Sequence, residues 1–330
     1  MKKAAVALAV LSAVVSGSTL AATVYDAEGT SLNVGGRLEF RGDFGGANIS
    51  GKEIEGSMQN KSRMRLNVAG ETSLTEGLKG FGFWEAEQTV KSSADNDANS
   101  SFKQRYMYAG LKGDFGAVSF GRQNTASVQI SDMSDIATFT GDQKAFINSG
   151  NEQVNNTFLY AYNMESLKLK ASYIAGEAKD TDGYGISGLY SLPFGLDIGL
   201  GYSGNDNGTG AGSADQLIAG LGYTMDALYL GATYTSGDID DKTKEEFDGV
   251  EVSAQYKFTK EFRLIAAYQN RQTEINNVKT DKSDFFELTG RYDFNKNFRT
   301  YVAYMLNNLD DNKVGYKVED TIRLGLRYDF

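Results

Sequence analysis

The chain has no cysteine and no histidine, and only one proline among its 330 residues. Without cysteine there are no disulfides and no thiolate metal sites. Without histidine the usual general base near neutral pH and the commonest metal ligand are both missing. Ser-His and Cys-His catalysis and most zinc chemistry are thereby excluded, and neither enzymatic activity nor a cofactor is expected. Long apolar runs are missing as well, for beyond residue 22 polar side chains recur every second or third position. Such a chain enters a membrane only as a closed barrel, which satisfies every backbone group between its own strands. The lone Pro193 suits long strands whose backbone donors are nearly all in use.

Basic residues are outnumbered, 33 Lys and Arg against 43 Asp and Glu. Two of the lysines, Lys2 and Lys3, open a stretch that reads as a secretory signal: a positive start, an apolar run from Ala4 to Val15, then small residues up to Ala21. That run is too short to span a bilayer, which takes roughly 20 residues. Cleavage after Ala21 is expected, with Thr19 and Ala21 in the small-residue positions. Residues 22–330 then form a single domain, and losing both lysines takes the net charge from −10 to −12. A chain this acidic has no use for nucleic acid, whose phosphates repel it.

What is abundant is glycine (38), tyrosine (19) and phenylalanine (19), a composition that suits β-structure with many turns and aromatic belts. The dominant period is two. Leu196, Ile198, Leu200 and Tyr202 alternate with Asp197, Gly199, Gly201 and Ser203. Val250, Val252, Ala254, Tyr256 and Phe258 alternate with Glu251, Ser253, Gln255 and Lys257. Ile322, Leu324, Leu326, Tyr328 and Phe330 alternate with Arg323, Gly325, Arg327 and Asp329. Each run has about the length of a tilted strand crossing hydrocarbon.

About sixteen such strands are predicted, near 31–45, 60–73, 78–91, 102–113, 116–123, 155–163, 166–175, 183–192, 195–203, 214–224, 227–236, 247–258, 261–272, 282–293, 297–307 and 319–330. Short turns such as Thr75-Glu76-Gly77, Leu192-Pro193-Phe194, Met225-Asp226 and Asn295-Lys296 join one set of ends, and longer polar loops join the other. A soluble sandwich also alternates, but even strand count, regular strand length, alternating loop length and closing aromatics favour the barrel. The fold expected is all-β: a transmembrane antiparallel up-and-down β-barrel with its apolar face on lipid and its polar face on a lumen.

Several segments in order resemble one family. These are Val34-Gly35-Gly36-Arg37, Arg65-Leu66-Asn67-Val68-Ala69-Gly70-Glu71-Thr72, Arg105 with Ala109-Gly110-Leu111-Lys112, Phe120-Gly121-Arg122, and the closing Leu326-Arg327-Tyr328-Asp329-Phe330. Together they resemble the general diffusion porins of Gram-negative outer membranes. The resemblance implies a homotrimer of sixteen-stranded barrels in the outer membrane, each passing ions and small hydrophilic solutes. It implies that Phe330 and Tyr328 form the signal read by the outer-membrane assembly machinery. It also implies that the third loop, roughly 124–154, folds inward and narrows the channel.

The loop's acidic side is then expected at Asp132 and Asp135, with Asp142 closing the Phe139-Thr140-Gly141-Asp142 turn; Thr138 stands where the family often has Glu. By strand parity Arg37, Lys61, Arg63 and Arg65 share the polar face, and Arg105 is placed there by the same logic. An arginine on the lipid face at mid-depth costs roughly 2–4 kcal/mol. The family match assigns Arg37, Arg65 and Arg105 to the basic wall of the constriction, with Arg63 beside them. Arg122 either latches onto an acidic residue of a neighbour's second loop, Asp95 or Asp97, or is a solvated rim arginine. Acidic outer residues (Asp238, Asp240 and Asp241; Asp310 and Asp311) either bridge divalent cations to lipopolysaccharide or are solvated tips. A weak cation preference is expected. The alternative is a closed-lumen barrel serving as receptor, adhesin or structural protein.

Overall fold

The computed structural model describes residues 21–46, 54, 56–90, 101–315 and 317–330. Residues 1–20 of the expected signal, and Asp95 and Asp97, lie outside the described residues. Sixteen strands close into one antiparallel ring. They are β1 (Thr30–Phe44), β2 (Arg63–Thr75), β3 (Leu78–Thr89), β4 (Lys103–Gly113), β5 (Gly116–Gln123), β6 (Val154–Asn163), β7 (Leu167–Ile174) and β8 (Gly183–Ser191). The second half is β9 (Leu196–Asp206), β10 (Ser213–Met225), β11 (Leu228–Asp240), β12 (Glu245–Lys257), β13 (Phe262–Ile275), β14 (Val278–Asp293), β15 (Phe298–Asn307) and β16 (Thr321–Asp329).

Every strand pairs with its sequence neighbours, and β16 closes onto β1 from Ile322 opposite Phe44 to Asp329 opposite Arg37. Closure matters because an open edge in hydrocarbon leaves a row of unpaired amides, each costing several kcal/mol. Phe330 finishes the seam: its N–H and C=O both bond Gly36, at 3.1 and 2.9 Å. Its ring lies over that glycine, where a Cβ would come within 2.8 Å of it. A leading arm, Ala22–Ala27, continues the same edge, with Ala22 opposite Val34; no strand was predicted there.

The alternation sorts as expected. Leu38, Phe40, Ile198, Leu200, Val252, Leu324 and Leu326 point outward and are exposed to the bilayer side. Outward rings gather at the short-turn end, where Tyr256, Phe258 and Phe262, then Tyr292, Phe294 and Phe298, then Tyr328 and Phe330 stand in contact. Rings at this level form an interfacial girdle. Pro193 sits in the turn between β8 and β9, where no ladder donor is needed.

Two connections at the long-loop end are tighter than predicted. Strands β11–β14 run past their expected ends, so Asp238 and Asp240 lie within β11 rather than in a loop. The β13–β14 turn is just Asn276-Asn277, both with positive φ (53° and 62°). That is the backbone of a type I′ hairpin, which matches strand twist.

Candidate functional site

Residues 124–153 join β5 to β6 and lie inside the barrel. A short helix, α1 (Val128–Ser131), presses Ile130 and the following Met133 onto Leu189 and Ile218 of the inner wall. The wall makes room with inward glycines. A Cβ at Gly199 would stand 2.7 Å from Ile130, one at Gly220 2.7 Å from Met133 Sδ, and one at Gly231 2.2 Å from the Met133 carbonyl. Polar bonds continue the attachment, from Ser127 to Ser203 (2.7 Å), Gln129 to Ser187 (2.7 Å) and Ser134 to Glu251 (2.7 Å).

The tip is clamped more firmly. Glu287 on β14 accepts the Thr138 and Phe139 amides, both at 2.8 Å, and Glu251 on β12 accepts the Gly141 amide at 2.7 Å. Arg323 on β16 donates to the Thr138 carbonyl at 2.7 Å and lays its guanidinium 3.7 Å from the Phe139 ring centroid. Gly141, at φ 112°, adopts a backbone that favours glycine, and Asp135 occupies the space a Cβ would take.

Between this tip and the uncovered wall lies a lumenal cavity of ≈ 490 Å³. On one side it is lined by Asp135, Asp142, Lys144 and Glu152 of the loop. On the other stand Arg37, Arg63, Arg65 and Arg105, joined by Arg41. Among the described residues no ion pair bridges the two sides. Asp132 sits apart: it does not line the cavity and pairs with Lys144 at 3.4 Å. Lys144 also pairs with Asp135 at 2.7 Å. Burial works against the Lys144 charge, but Asp135, Asp132 and Glu152 outweigh it and hold its ammonium well above the usual lysine range. Burial lifts the Asp142 carboxyl above the ordinary aspartate value, with Arg271 and the Gln269 bond pulling less strongly the other way.

The basic wall is not bare. Arg63 bonds Glu39 at 2.7 Å, Arg65 bonds Glu87 at 2.5 Å and Arg105 bonds Glu85 at 2.7 Å. Five guanidiniums therefore meet three carboxylates. Three carboxylates and one ammonium on the loop side, −2, oppose this +2, and Arg291, Arg299 and Arg327 line the cavity as well. The three glutamates escaped the sequence reading, although the same parity puts them beside the arginines.

Arg105 reaches the lumen by a route parity does not give. Met107 and Leu111 on β4 face outward, and strict alternation would send Arg105 with them. A bulge opposite Glu85 and Ala86 leaves Arg105 as the extra residue and turns it inward beside Tyr106. Bulges re-aim side chains in this way.

The profile of the Gram-negative porin family matches residues 4–312. The chain belongs to the Gram-negative porins. This porin is 33% identical over 305 residues to outer membrane protein U of Vibrio parahaemolyticus, covering 86% of this chain and 85% of that one. It is 30% identical over 302 residues to the outer membrane porin protein OmpD of Citrobacter koseri, covering 81% of each. Among solved structures, Salmonella typhi OmpF in complex with daunomycin superposes with a TM-score of 0.80 at 21% identity, over 94% of this chain and all of that one. The trimer form of Vibrio cholerae OmpT gives 0.72 at 18% identity, over 92% and 100%. The porin is thus an outer-membrane channel protein, and barrels of this kind turn their short connections to the periplasm. Its Arg122 lies at the outer rim, bonding Asn155 at 2.8 Å and the Gln104 carbonyl at 3.2 Å. Tyr328 points to lipid beside Phe330.

Proposed function

We propose that this porin is an open, water-filled diffusion channel for ions and small hydrophilic solutes, narrowed where loop three faces the arginine wall. The observation that supports it best is the undercompensated cavity itself, basic on β1, β2 and β4 and acidic on the loop, with no side chain bridging it among the described residues. Opposed fixed charges set a field across the gap that orders water. A polar solute aligns with that field, whereas an apolar one displaces oriented water without recompense. Across such a gap salt screens only in part, since the Debye length is about 8 Å at physiological ionic strength.

In this reading Asp135 and Asp142 are the acidic side, with Asp132 as a reserve behind Lys144, and Arg37, Arg63, Arg65 and Arg105 are the basic side. The acidic loop side and the acidic outer ends favour a weak cation preference, because rings of charge set selectivity locally. The assembly is a homotrimer, with Arg122 available at the rim to a neighbour's second loop. Residues 1–21 serve export, and Phe330 with Tyr328 addresses the assembly machinery. The acidic outer residues are solvated tips or meet lipopolysaccharide through divalent cations.

Planar-bilayer recording of the purified, unheated protein under a salt gradient tests this. Large steps closing in threes, with a small cation-directed reversal potential, are expected. Folded protein that yields no steps would remove the channel reading and leave a closed receptor or structural barrel.

A further inference from the structure

Four arginines on consecutive strands face the lumen on the periplasmic side of the constriction: Arg263 on β13, Arg291 on β14, Arg299 on β15 and Arg327 on β16. Arg263 stands directly opposite Arg291, and Arg299 directly opposite Arg327. Like charges in cross-strand register are unfavourable for a sheet, so the fold gains nothing from this placement.

Among the described residues two carboxylates serve the four. Asp293 binds Arg263 at 2.6 Å and Arg291 at 2.8 Å, with Arg299 at 3.6 Å. Asp329 binds Arg299 at 2.9 Å and Arg327 at 2.5 Å. A guanidinium offers five N–H donors and a carboxylate accepts about four bonds, so most of the donors have no carboxylate partner. The next strand adds to the surplus. Arg37 pairs in register with Asp329, yet its buried Nε has no hydrogen-bond partner, and Glu39 stands 3.9 Å away. Glu39 is already taken up by Arg63, Arg41 and the Tyr301 hydroxyl. Arg263 Nε is likewise buried without a partner. The cluster is reachable, because Arg291, Arg299, Arg327 and Arg37 all line the lumenal cavity.

We propose that this arginine cluster is a binding site for a divalent oxyanion of phosphate type, entered from the lumen just below the constriction. It rests on the reading of the lumen as open. Planar guanidinium forks match the paired oxygens of such an anion, whereas chloride engages them only as a point charge. A dianion seated there cancels the +2 left by four arginines and two aspartates.

The test uses the intact protein in planar bilayers with a potassium chloride gradient. Millimolar phosphate, added above neutral pH at constant ionic strength, should shift the reversal potential further toward potassium. An equal ionic strength of extra chloride should not. In the Arg291→Gln, Arg327→Gln double variant the reversal potential should already be shifted, and the phosphate needed for half-effect should rise about tenfold for each fork lost. Phosphorus-31 line broadening on the unmodified protein provides a readout independent of folding of the variant. Absence of any steps in potassium chloride would defeat the open-channel reading. Normal steps whose reversal potential ignores phosphate, with a sharp phosphorus line, would overturn the site alone.

Discussion

Removing the Glu287 side chain should loosen the tip of loop three and widen the channel. Its two carboxylate oxygens each accept a loop amide at 2.8 Å, from Thr138 and Phe139, and the side chain is almost wholly buried. A hydrogen bond to a charged group contributes about 1.5–3 kcal/mol, so Glu287→Ala forfeits about 3 kcal/mol at the lower end, chosen because lumen water can replace the lost acceptor. That corresponds to about a hundredfold change in the ratio of clamped to released tip. Glu287→Gln keeps one acceptor oxygen but turns an NH₂ toward the second amide, and should fall between. The assay is single-channel recording: greater open-channel noise, a larger conductance step and entry of larger neutral sugars, graded Ala over Gln over the unmodified protein. The clamp has other members, for Arg323 holds the Thr138 carbonyl and Glu251 the Gly141 amide. If a folded Glu287→Ala protein matched the unmodified channel in noise, step size and sugar cut-off, the tip would be held elsewhere and the reasoning would be wrong.

The opposite sign is expected from Gly220→Val. Its Cβ would meet Met133 Sδ at 2.7 Å and Ile130 at 2.9 Å, pushing α1 off the wall and into the channel. Overpacking of this kind costs about 1–3 kcal/mol, and the recorded step should shrink rather than grow. Selectivity should also depend on pH through Asp142. Burial raises its pKa, so on acidification it takes up a proton at a higher pH than an ordinary aspartate. Protonation removes negative charge from the loop side, so the cation share of the current should begin to fall earlier than free carboxylates predict, and Asp142→Asn should abolish that early component. A reversal potential with the same pH profile in both proteins would refute the assignment.

Most of the barrel was legible because period-two alternation reports a sheet whose faces meet different media. Leu200 and Leu324 face out, while Ser203 and Arg323 face in, as the pattern requires. Where the chain breaks the period, alternation no longer gives the reason: Arg105 faces the lumen as expected, but not by parity. The bulge that turns Arg105 inward adds a residue that alternation cannot see. The long β11–β14 hairpins outrun the apolar stretch, since beyond the bilayer strands need no lipid-facing side chains. The leading arm pairs with β1 and is exposed along its length, so it leaves no alternating mark. Loop three could be located by length, but its bed could not be recognised. The signal was present in Gly199, Gly220 and Gly231, inward positions with no side chain, which read as mere polar-face fillers until the helix above them is placed. Glu39, Glu85 and Glu87 have inward parity on their own strands, so alternation alone places them on the wall of the arginines they pair with.

The absence of cysteine allows a direct test of where the water path runs. Thr140 lines the cavity at the tip of loop three, while Leu217 points outward from β10. Thr140→Cys, treated with a charged, membrane-impermeant methanethiosulfonate during bilayer recording, should show stepwise loss of conductance as each thiol is capped, and Leu217→Cys should show none. Conductance at Thr140→Cys that persists unchanged after modification is verified by mass would contradict a path bounded by this loop.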